Sequence, residues 1–269
     1  MKKVLLQICL ILIALVQLFP LYWMFTFSLK GNNEIFGGNV AGLPHVWLFE
    51  NYVDVLENTN ILRYFLNSII VALLTIFFTL LFSSMAAYAL VRLKWKLSKA
   101  VYLLFLIGIM LPMHAVLLPL YLNLGPILNS YASLVLPYTA FQMPLTILIT
   151  MVAVEGLPKE LEESAFIDGA NIYRIFFRII SPLLLPILAT GAILAFLGSW
   201  NELMFSVTFI SDSRYKTITA GVMELIGRYI TRWGEVGAGL TIATVPTLLI
   251  YTLLSKTIQN SLIVGAVKG

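Results

Sequence analysis

Six long apolar runs constrain the fold of this chain more than any other feature of its sequence. They cover approximately residues 4–29, 64–91, 101–122, 131–154, 183–210 and 237–254. Each has about the 20 residues that an α-helix needs to cross a hydrocarbon core of about 30 Å. Hydrophobic residues make up 60% of the chain and charged residues 11%, a composition that a water-soluble fold could hardly bury. We therefore predict an all-α, polytopic membrane protein with six transmembrane helices.

Two other interpretations of the apolar runs fit the sequence poorly. Transmembrane β-strands alternate apolar and polar residues, and these runs do not. The first run follows Lys2 and Lys3, as a signal peptide would, but it is longer than the apolar part of a signal peptide. No small-residue cleavage site follows Leu29. We expect the first run to be retained as a span.

Lysine and arginine residues predict the orientation of the chain. If the N-terminus is cytoplasmic, eleven of them fall in cytoplasmic segments and six in external ones, which agrees with the positive-inside rule. The cytoplasmic set is Lys2, Lys3, Arg92, Lys94, Lys96, Lys99, Lys159, Arg174, Arg178, Lys256 and Lys268. We expect both termini in the cytoplasm.

The cluster from Arg92 to Lys99 is the strongest topological signal, with lipid-headgroup binding as its alternative role. The net charge of +4 requires no nucleic-acid partner.

Residues that would support catalysis or cofactor binding are scarce. Cys9 is the single cysteine, which excludes an intrachain disulfide, and His45 and His114 are too few for a metal centre. The sequence has no G-x-x-x-x-G-K-[S/T] phosphate-binding pattern and no clustered catalytic set. We predict a protein that is not an enzyme, has no cofactor and no metal site, and depends on another subunit for any ATP hydrolysis.

Two of the segments predicted to be external are long. Residues 30–63 and 211–236 carry mixed charges and aromatic side chains, whereas 123–130 is a short connection. Long segments of this kind either dock a soluble partner or cap the helix bundle. The residues alone leave both roles open.

A polar interruption at residues 155–181 separates two apolar runs. Pro158 suits the first turn of a helix, and the acidic residues at 160, 162 and 163 favour its positive end. Gly169 is expected to end this helix just after Asp168. Asn171 is expected to cap a second helix with apolar residues at 172, 175, 176 and 179 on one side. Such an amphipathic segment lies on a membrane surface or contacts a soluble partner.

The same segment resembles a known motif. The pattern Glu163-Ser164-Ala165-x3-Gly169-x9-Ile179-x2-Pro182 is similar to the E-A-A-x3-G-x9-I-x-L-P motif of permeases from binding-protein-dependent ABC importers. It departs from that motif at Ser164, where Ala is usual, and at Ser181, where Leu is usual. The resemblance continues at Asn51-Tyr52, Asn67-Ser68, Ala86 to Leu90, Pro112, Pro119 to Tyr121, Leu161 to Glu163, Ile167 to Ala170, Trp200-Asn201 and Gly265 to Gly269. Together these segments resemble the smaller permease of maltose-like carbohydrate-uptake systems.

The resemblance implies a fold, a function and a set of partners. The fold is the transmembrane domain of a type I ABC importer, with six helices and a cytoplasmic coupling-helix loop. The function is ATP-driven import of a sugar, most simply an oligosaccharide, across the cell membrane. The partners are a second homologous permease subunit, two cytoplasmic ATPase subunits, an extracytoplasmic sugar-binding protein and the lipid bilayer. An ion-coupled secondary transporter and a permease for a non-sugar solute are the alternatives, although the sequence shows no persuasive inverted repeat.

The resemblance also implies roles for particular residues. Facing the ATPase are Glu163, Ser164, Ala165, Asp168 and Gly169, whereas Ile179 and Pro182 join this loop to the fifth span. Lys268 belongs to a tail that reaches toward the ATPase. The expected organisation is a first helix with its external loop at 1–63, a permease core at 64–260 containing the coupling loop 155–181, and a tail at 261–269.

Polar residues within the spans are candidates for the translocation pathway, because ionisable groups are costly in a bilayer. Glu202 is the one carboxylate predicted well inside a span, beside Trp200 and Asn201. Aromatic and amide groups suit a sugar, but the same residues also serve as contacts between helices. The candidate set is Asn67, Tyr138, Gln142, Trp200, Asn201 and Glu202.

The predicted orientation is testable by cysteine accessibility in intact cells. After Cys9 is replaced, a single cysteine at Asn39 or Ser213 is expected to react with an impermeant thiol reagent, because both positions are predicted to be external. A reporter fused after Gly269 is expected to behave as cytoplasmic. Labelling of Lys96→Cys from outside would contradict this orientation.

Overall fold

The computed structural model describes the backbone of residues 2–93, 95–227 and 230–266, and the side chains of residues 3–93, 95–227 and 230–253. Within these ranges every regular element is helical. The α-helices are α1 (Lys2–Ser28), α2 (Asn32–Phe36), α3 (Glu50–Asn58), α4 (Ile61–Arg92), α5 (Ser98–Met110), α6 (Leu117–Asn123), α7 (Tyr131–Glu155), α8 (Glu160–Ile167), α9 (Ile172–Ile175), α10 (Ser181–Leu183), α11 (Leu185–Trp200), α12 (Met204–Phe209), α13 (Ile218–Glu224) and α14 (Trp233–Ala266). The predicted tail contact of Lys268 lies outside the described residues, as does Lys94 of the basic cluster.

The described chain contains four continuous helices that are long and apolar enough to cross a membrane. They lie in α1, α4, α7 and α14. Two bent helix pairs supply the remaining apolar length, so that the count is six when each pair is taken as one span. This result agrees with the predicted all-α, six-span fold and corrects the expectation that all six spans are continuous.

The third predicted span is broken at a proline. Helix α5 ends at Met110, and the next helical stretch, Met113–Asn123, runs at 97° to it. Leu111 and Pro112 both have extended backbones, with ψ of 119°. A residue that precedes proline is disfavoured in the α conformation, and proline has no N–H for a helical hydrogen bond. Pro112 therefore accounts for the break.

The fifth predicted span, residues 183–210, is also divided. A helix at Ile172–Leu183, with a π-helical turn at Phe176–Ile180, meets α11 at 77°. Pro182 and Pro186 lie on either side of this bend and remove two helical hydrogen-bond donors. The span also ends earlier than expected, because α11 stops at Trp200 and α12 begins only at Met204.

The chain divides into two compact units. One consists of Met1–Leu66 and Thr217–Pro246, and the other of Asn67–Lys216 and Thr247–Gly269. Residues 217–246 thus join the first unit. The reason is contact within that unit: Asn32 binds the Thr231 carbonyl and the Trp233 N–H, at 2.7 and 2.9 Å. The expected organisation into 1–63, 64–260 and 261–269 stays a prediction.

Within the second unit, α7 and α11 approach each other closely at glycines. A side chain at Gly191 would meet Thr146 of α7, because a Cβ there would lie 2.8 Å from the Thr146 methyl group. Gly198 is likewise covered by the amide of Gln142. Small residues allow such close approach between membrane helices. Gln142 is thus a packing residue against α11.

Within the first unit, a buried lysine organises the segment after α1. Lys30 is fully buried, and its ammonium donates to the carbonyl oxygens of Asn39, Val40 and Gly42 at 2.8, 3.2 and 2.7 Å. A buried ammonium requires such partners. Burial nevertheless lowers the pKa of Lys30, against the opposing effect of the Glu34 carboxylate.

Glu34 contacts the same segment after α1. Its carboxylate accepts hydrogen bonds from the Asn39 side chain and from the His45 backbone N–H, at 2.6 and 2.8 Å. Burial by itself would raise the pKa of Glu34, but these donors outweigh it and the pKa is lowered. The contribution of Glu34 to stability is therefore present above its unfolded-state pKa and is lost as the pH falls through its folded-state pKa.

The substitution Lys30→Met tests the role of the buried ammonium. It removes the donor from three carbonyl oxygens, and a hydrogen bond to a charged group contributes about 1.5–3 kcal/mol. We expect the segment 37–43 to become sensitive to protease while the helices remain intact. Lys99→Met, at an exposed lysine, is the matched control. Equal cleavage of the two variants would show that Lys30 does not organise the segment.

Candidate functional site

The polar interruption folds as a helix, a sharp turn and a second helix. Helix α8 has three acidic residues in its first turn and ends at Ile167. Gly169 follows with φ of 80°, in the left-handed region that glycine adopts without steric cost. The Asn171 side chain then accepts a hydrogen bond from the Arg174 N–H at 2.9 Å and caps α9. These contacts confirm the predicted local structure.

An apolar cluster attaches this loop to the spans. Ala165 of α8 and Ile175 and Phe176 of the second helix are buried in it, together with Tyr88 of α4 and Val154 of α7. Ile179 packs at the edge of the same cluster. Ala165 was expected to face a partner subunit; only 8% of its surface is exposed, and its contact with a partner stays a prediction. Its small side chain lets α8 lie close to the residues of this apolar cluster.

A buried ion pair reinforces the attachment. Arg92 Nε, at the end of α4, lies 2.8 Å from Oε1 of Glu162 in α8, in an ion pair that lacks hydrogen-bond alignment. The hydroxyl of Tyr88, one turn earlier in α4, donates to Oε2 of Glu162 at 2.9 Å. Arg92 Nη2 also donates to the carbonyl oxygens of Val154 and Leu157, at 3.0 and 2.6 Å. Arg92 therefore joins α4 to α8 and to the end of α7.

Sequence reasoning used these residues for other purposes. Arg92 was counted in the basic cluster, and Glu162 among the acidic residues at a helix start and in the Leu161 to Glu163 segment of the resemblance; neither was predicted to contact the other. A signal was present, because Glu162 and Ala165 are three residues apart and so share one face of a helix. Both are buried in the structure.

The opposite side of the loop is exposed. Glu163, Ser164, Asp168 and Gly169 all lie on the surface. Phe166 and Ile167 lie beside them, and Ile167 is 87% exposed. Exposed apolar side chains on an otherwise polar loop are typical of a contact surface for a partner. Four of the five residues expected at an interface are thus available for contact.

Glu202 lies in the break between α11 and α12, and not inside a span as predicted. Its carboxylate accepts hydrogen bonds from the N–H groups of Met204 and Phe205, at 2.8 and 2.9 Å, as an N-terminal cap of α12. Tyr138 donates to it at 2.7 Å, and His114 Nε2 lies 3.3 Å away. Glu202 and Tyr138 are buried. This cluster joins α7, α12 and the broken third span, and its carboxylate oxygens are occupied within the chain.

Three other pathway candidates also make contacts within the chain. Asn67 is buried and bonds to backbone carbonyls. Trp200 is buried and stacks on Phe196 at 5.3 Å between ring centroids. Asn201 is exposed, although its amide bonds to Leu197 of its own helix at 3.0 Å. Within the described residues, no three His, Cys, Asp or Glu side chains are grouped to hold a metal ion.

Comparison with known proteins identifies the family. A family model described as the inner membrane component of binding-protein-dependent transport systems matches residues 79–263. This is more than half of the chain and includes α8, Gly169 and α9. The chain belongs to this family. It is therefore a permease component of an ABC importer and a multi-pass membrane protein, and it is a transport subunit and not an enzyme.

Relatives and a solved structure agree with this assignment. The permease is 39% identical over 253 residues to a probable ABC transporter permease protein, YurM, of Bacillus subtilis strain 168, with 93% of this chain and 84% of the relative covered. It is 34% identical to the trehalose/maltose transport system permease protein MalG of Thermococcus litoralis, with 100% and 98% covered. A crystal structure of a bacterial ABC transporter that imports the acidic polysaccharide alginate has a TM-score of 0.82, 20% identity and 95% coverage of both chains. At that identity it supports the fold alone.

Two adjacent carboxylates allow a matched test of the ion pair. Glu162→Gln leaves the buried Arg92 without its counter-ion, and such a loss costs about 3–5 kcal/mol. We expect lower thermal stability of the purified permease and faster proteolysis within residues 156–171. Glu163→Gln changes the exposed neighbour and is expected to stay within about 0.5 kcal/mol of the unmodified protein. Indistinguishable melting and cleavage of the two variants would contradict a structural role of the pair.

Proposed function

We propose that this permease is one of two homologous membrane subunits of an ATP-driven importer of oligosaccharides. It forms half of the translocation pathway, and its α8–Gly169–α9 loop couples two ATPase subunits to the opening and closing of that pathway. A sugar-binding protein delivers the substrate on the external side. The observation that carries the proposal is the loop itself, which is firmly attached on one side and exposes apolar and acidic side chains on the other.

The mechanical argument follows from the two sides of the loop. A motor that lies outside the membrane must grip an element that transmits displacement without deforming. Helix α8 meets this requirement because its inner face is held by the buried Arg92–Glu162 pair and the apolar cluster. Phe166, Ile167 and Glu163 remain free to enter a cleft in a partner. Displacement of the loop would then move α4, α7 and the fifth span together.

The predicted orientation of the chain agrees with the same assignment. With both termini in the cytoplasm, α8 and α9 lie on the cytoplasmic side, where ATPase subunits are found. The excess of lysine and arginine on that side favours this arrangement.

The substrate class comes from relatives. The Thermococcus relative is named as a permease of a trehalose/maltose transport system. A Thermoanaerobacterium relative, 32% identical over 268 residues, is named as a probable permease for starch degradation products. Both relatives match nearly the whole chain, so we assign the same class, a short oligosaccharide of neutral sugars, to this permease.

Gly169→Val tests the coupling loop. No atom lies within 4 Å of the position of a new Cβ, so the change acts through the backbone, where φ of 80° is unfavourable for a β-branched residue. We expect sugar uptake in the reconstituted complex to fall roughly tenfold relative to ATP hydrolysis, a typical size for lost coupling. Glu163→Lys, at an exposed position, is expected to act in the same direction.

Gly125→Val is the matched control, because Gly125 also has open surroundings but no positive φ. It is expected to leave uptake unchanged. A substitution of Ala165, such as Ala165→Arg, does not test coupling. Because Ala165 is buried, an arginine there would disturb folding of the loop. Normal uptake and normal hydrolysis in both Gly169→Val and Glu163→Lys would show that the loop does not couple the motor to the pathway.

A further inference from the structure

Helix α4 differs from the other spans in composition. Each of the others contains a proline or is broken at one: Pro20 in α1, Pro112 and Pro119 in the third span, Pro137 and Pro144 in α7, Pro182 and Pro186 in the fifth span, and Pro246 in α14. The 32 residues of α4 include neither proline nor glycine. Proline removes a helical hydrogen bond and glycine loosens the backbone, and kinks occur mostly at such residues. Helix α4 is therefore the span least able to bend.

The two ends of this stiff helix are tied to different polar segments. At its C-terminal end, Tyr88 and Arg92 hold Glu162 of α8 through the contacts described above. Near its N-terminal end, the Asn67 side chain donates to the carbonyl oxygens of Arg214 and Lys216, at 3.0 and 2.8 Å.

The Asn67 side chain is buried, and both its amide nitrogen and its amide oxygen form hydrogen bonds. Its Oδ1 accepts a hydrogen bond from the Tyr131 hydroxyl at 2.7 Å, so that both ends of the amide are occupied. The segment that it holds, residues 211–216, is also fixed by Asn129, whose Oδ1 accepts from the N–H groups of Ser211 and Asp212 at 2.7 and 2.9 Å. Buried hydrogen bonds of this kind are costly to leave unmade. A shift of α4 must therefore carry this segment with it or break the attachment.

Asn67 and Arg92 are 25 residues apart in one helix, which corresponds to roughly 38 Å at 1.5 Å per residue. We propose that α4 is a strut that links the position of α8 to the position of segment 211–216, with Arg92 and Asn67 as positioning residues at its two ends. The proposal rests on the function proposed above, under which α8 meets the ATPase and segment 211–216 is external. Binding-protein arrival at the external side would then be communicated to the ATPase through this helix.

A double-mutant cycle across the strut provides the test. Asn67→Leu removes the amide at one end and Arg92→Gln removes the guanidinium at the other. The measurement is the stimulation of ATP hydrolysis by binding protein in the reconstituted full complex. We expect each variant to reduce stimulation roughly tenfold, within the usual range of coupling between sites. The double variant is expected to be no worse than the poorer single variant, because both interrupt one connection.

Independent local effects would produce a different result. If the two residues act separately, their effects multiply and the double variant loses roughly a hundredfold. That outcome, or unchanged stimulation in both single variants, would overturn the strut. Tyr88→Phe removes only one hydrogen bond to Glu162 and serves as the milder variant if Arg92→Gln does not fold. In that case the cycle is run with Asn67→Leu and Tyr88→Phe. A double variant no worse than the poorer single variant supports the strut, and effects that multiply overturn it.

Stiffness itself is tested by paired glycine substitutions at exposed leucines. Leu73 and Leu74 lie on the exposed side of α4, and Leu12 and Leu15 lie on that of α1. Glycine at both α4 positions is expected to lower stimulation several-fold by allowing the helix to flex. The same change in α1 is expected to have no effect. Equal results in the two helices would contradict the strut.

Controls separate failure of the strut from failure of the proposed function. Asn123→Leu removes an exposed amide that bonds only within its own helix, and Arg63→Gln removes an exposed guanidinium of α4; both are expected to retain stimulation. Co-purification of the ATPase is measured for every variant. An unmodified complex without an ATPase or without stimulation would overturn the proposed function. Normal stimulation of the unmodified complex and of all strut variants would overturn the strut alone.

Discussion

A buried guanidinium is the interaction on which the arrangement of the coupling loop depends. Arg92 is placed where three elements end or begin, and it meets a carboxylate and two backbone carbonyl oxygens. Such a charge is tolerated in a low-dielectric environment only when it is paired, and here Glu162 supplies the counter-charge while the two carbonyl oxygens accept from Nη2. The requirement is mutual, because the last carbonyls of α7 need a donor and Glu162 needs a counter-ion. The loop is thereby held by directional contacts in addition to apolar packing.

Prolines lie at the breaks of the third and fifth spans. The backbone of a membrane-embedded segment must satisfy its own hydrogen bonds, which favours unbroken helices. Breaks at Pro112 and at Pro182 with Pro186 release N–H and C=O groups that need other partners. At a further break, between α11 and α12, where no proline lies, the Glu202 carboxylate accepts from the N–H groups of Met204 and Phe205, and Tyr138 and His114 meet the same carboxylate. Glu202, a candidate for solute contact in the sequence, thus has its carboxylate engaged at the start of a helix.

In the proposed mechanism, stiff and bent helices divide the mechanical tasks in this permease. A helix without proline or glycine transmits displacement, whereas a kinked or broken helix absorbs it. Helix α4 combines the first property with polar attachments at Tyr88, Arg92 and Asn67. The fifth span combines a π-helical turn with a bend of 77° directly after the coupling loop. This contrast suits a protein that changes conformation while keeping its docking loop intact.

The sequence by itself determined the class of the protein, the number of apolar spans and the local structure of the docking loop. These features depend on composition and on short-range rules: apolar length, helix capping by Asn171 and the left-handed conformation of Gly169. Tertiary structure alone decided that Ala165 faces inward, that Glu162 pairs with Arg92, and that Asn67 holds residues 214 and 216. The contacts of Arg92 with Glu162 and of Asn67 with residues 214 and 216 join positions between 70 and 149 residues apart, and no local pattern specifies which distant partners meet. The direction of a side chain on a helix can be read from spacing, but its partner depends on how the helices pack.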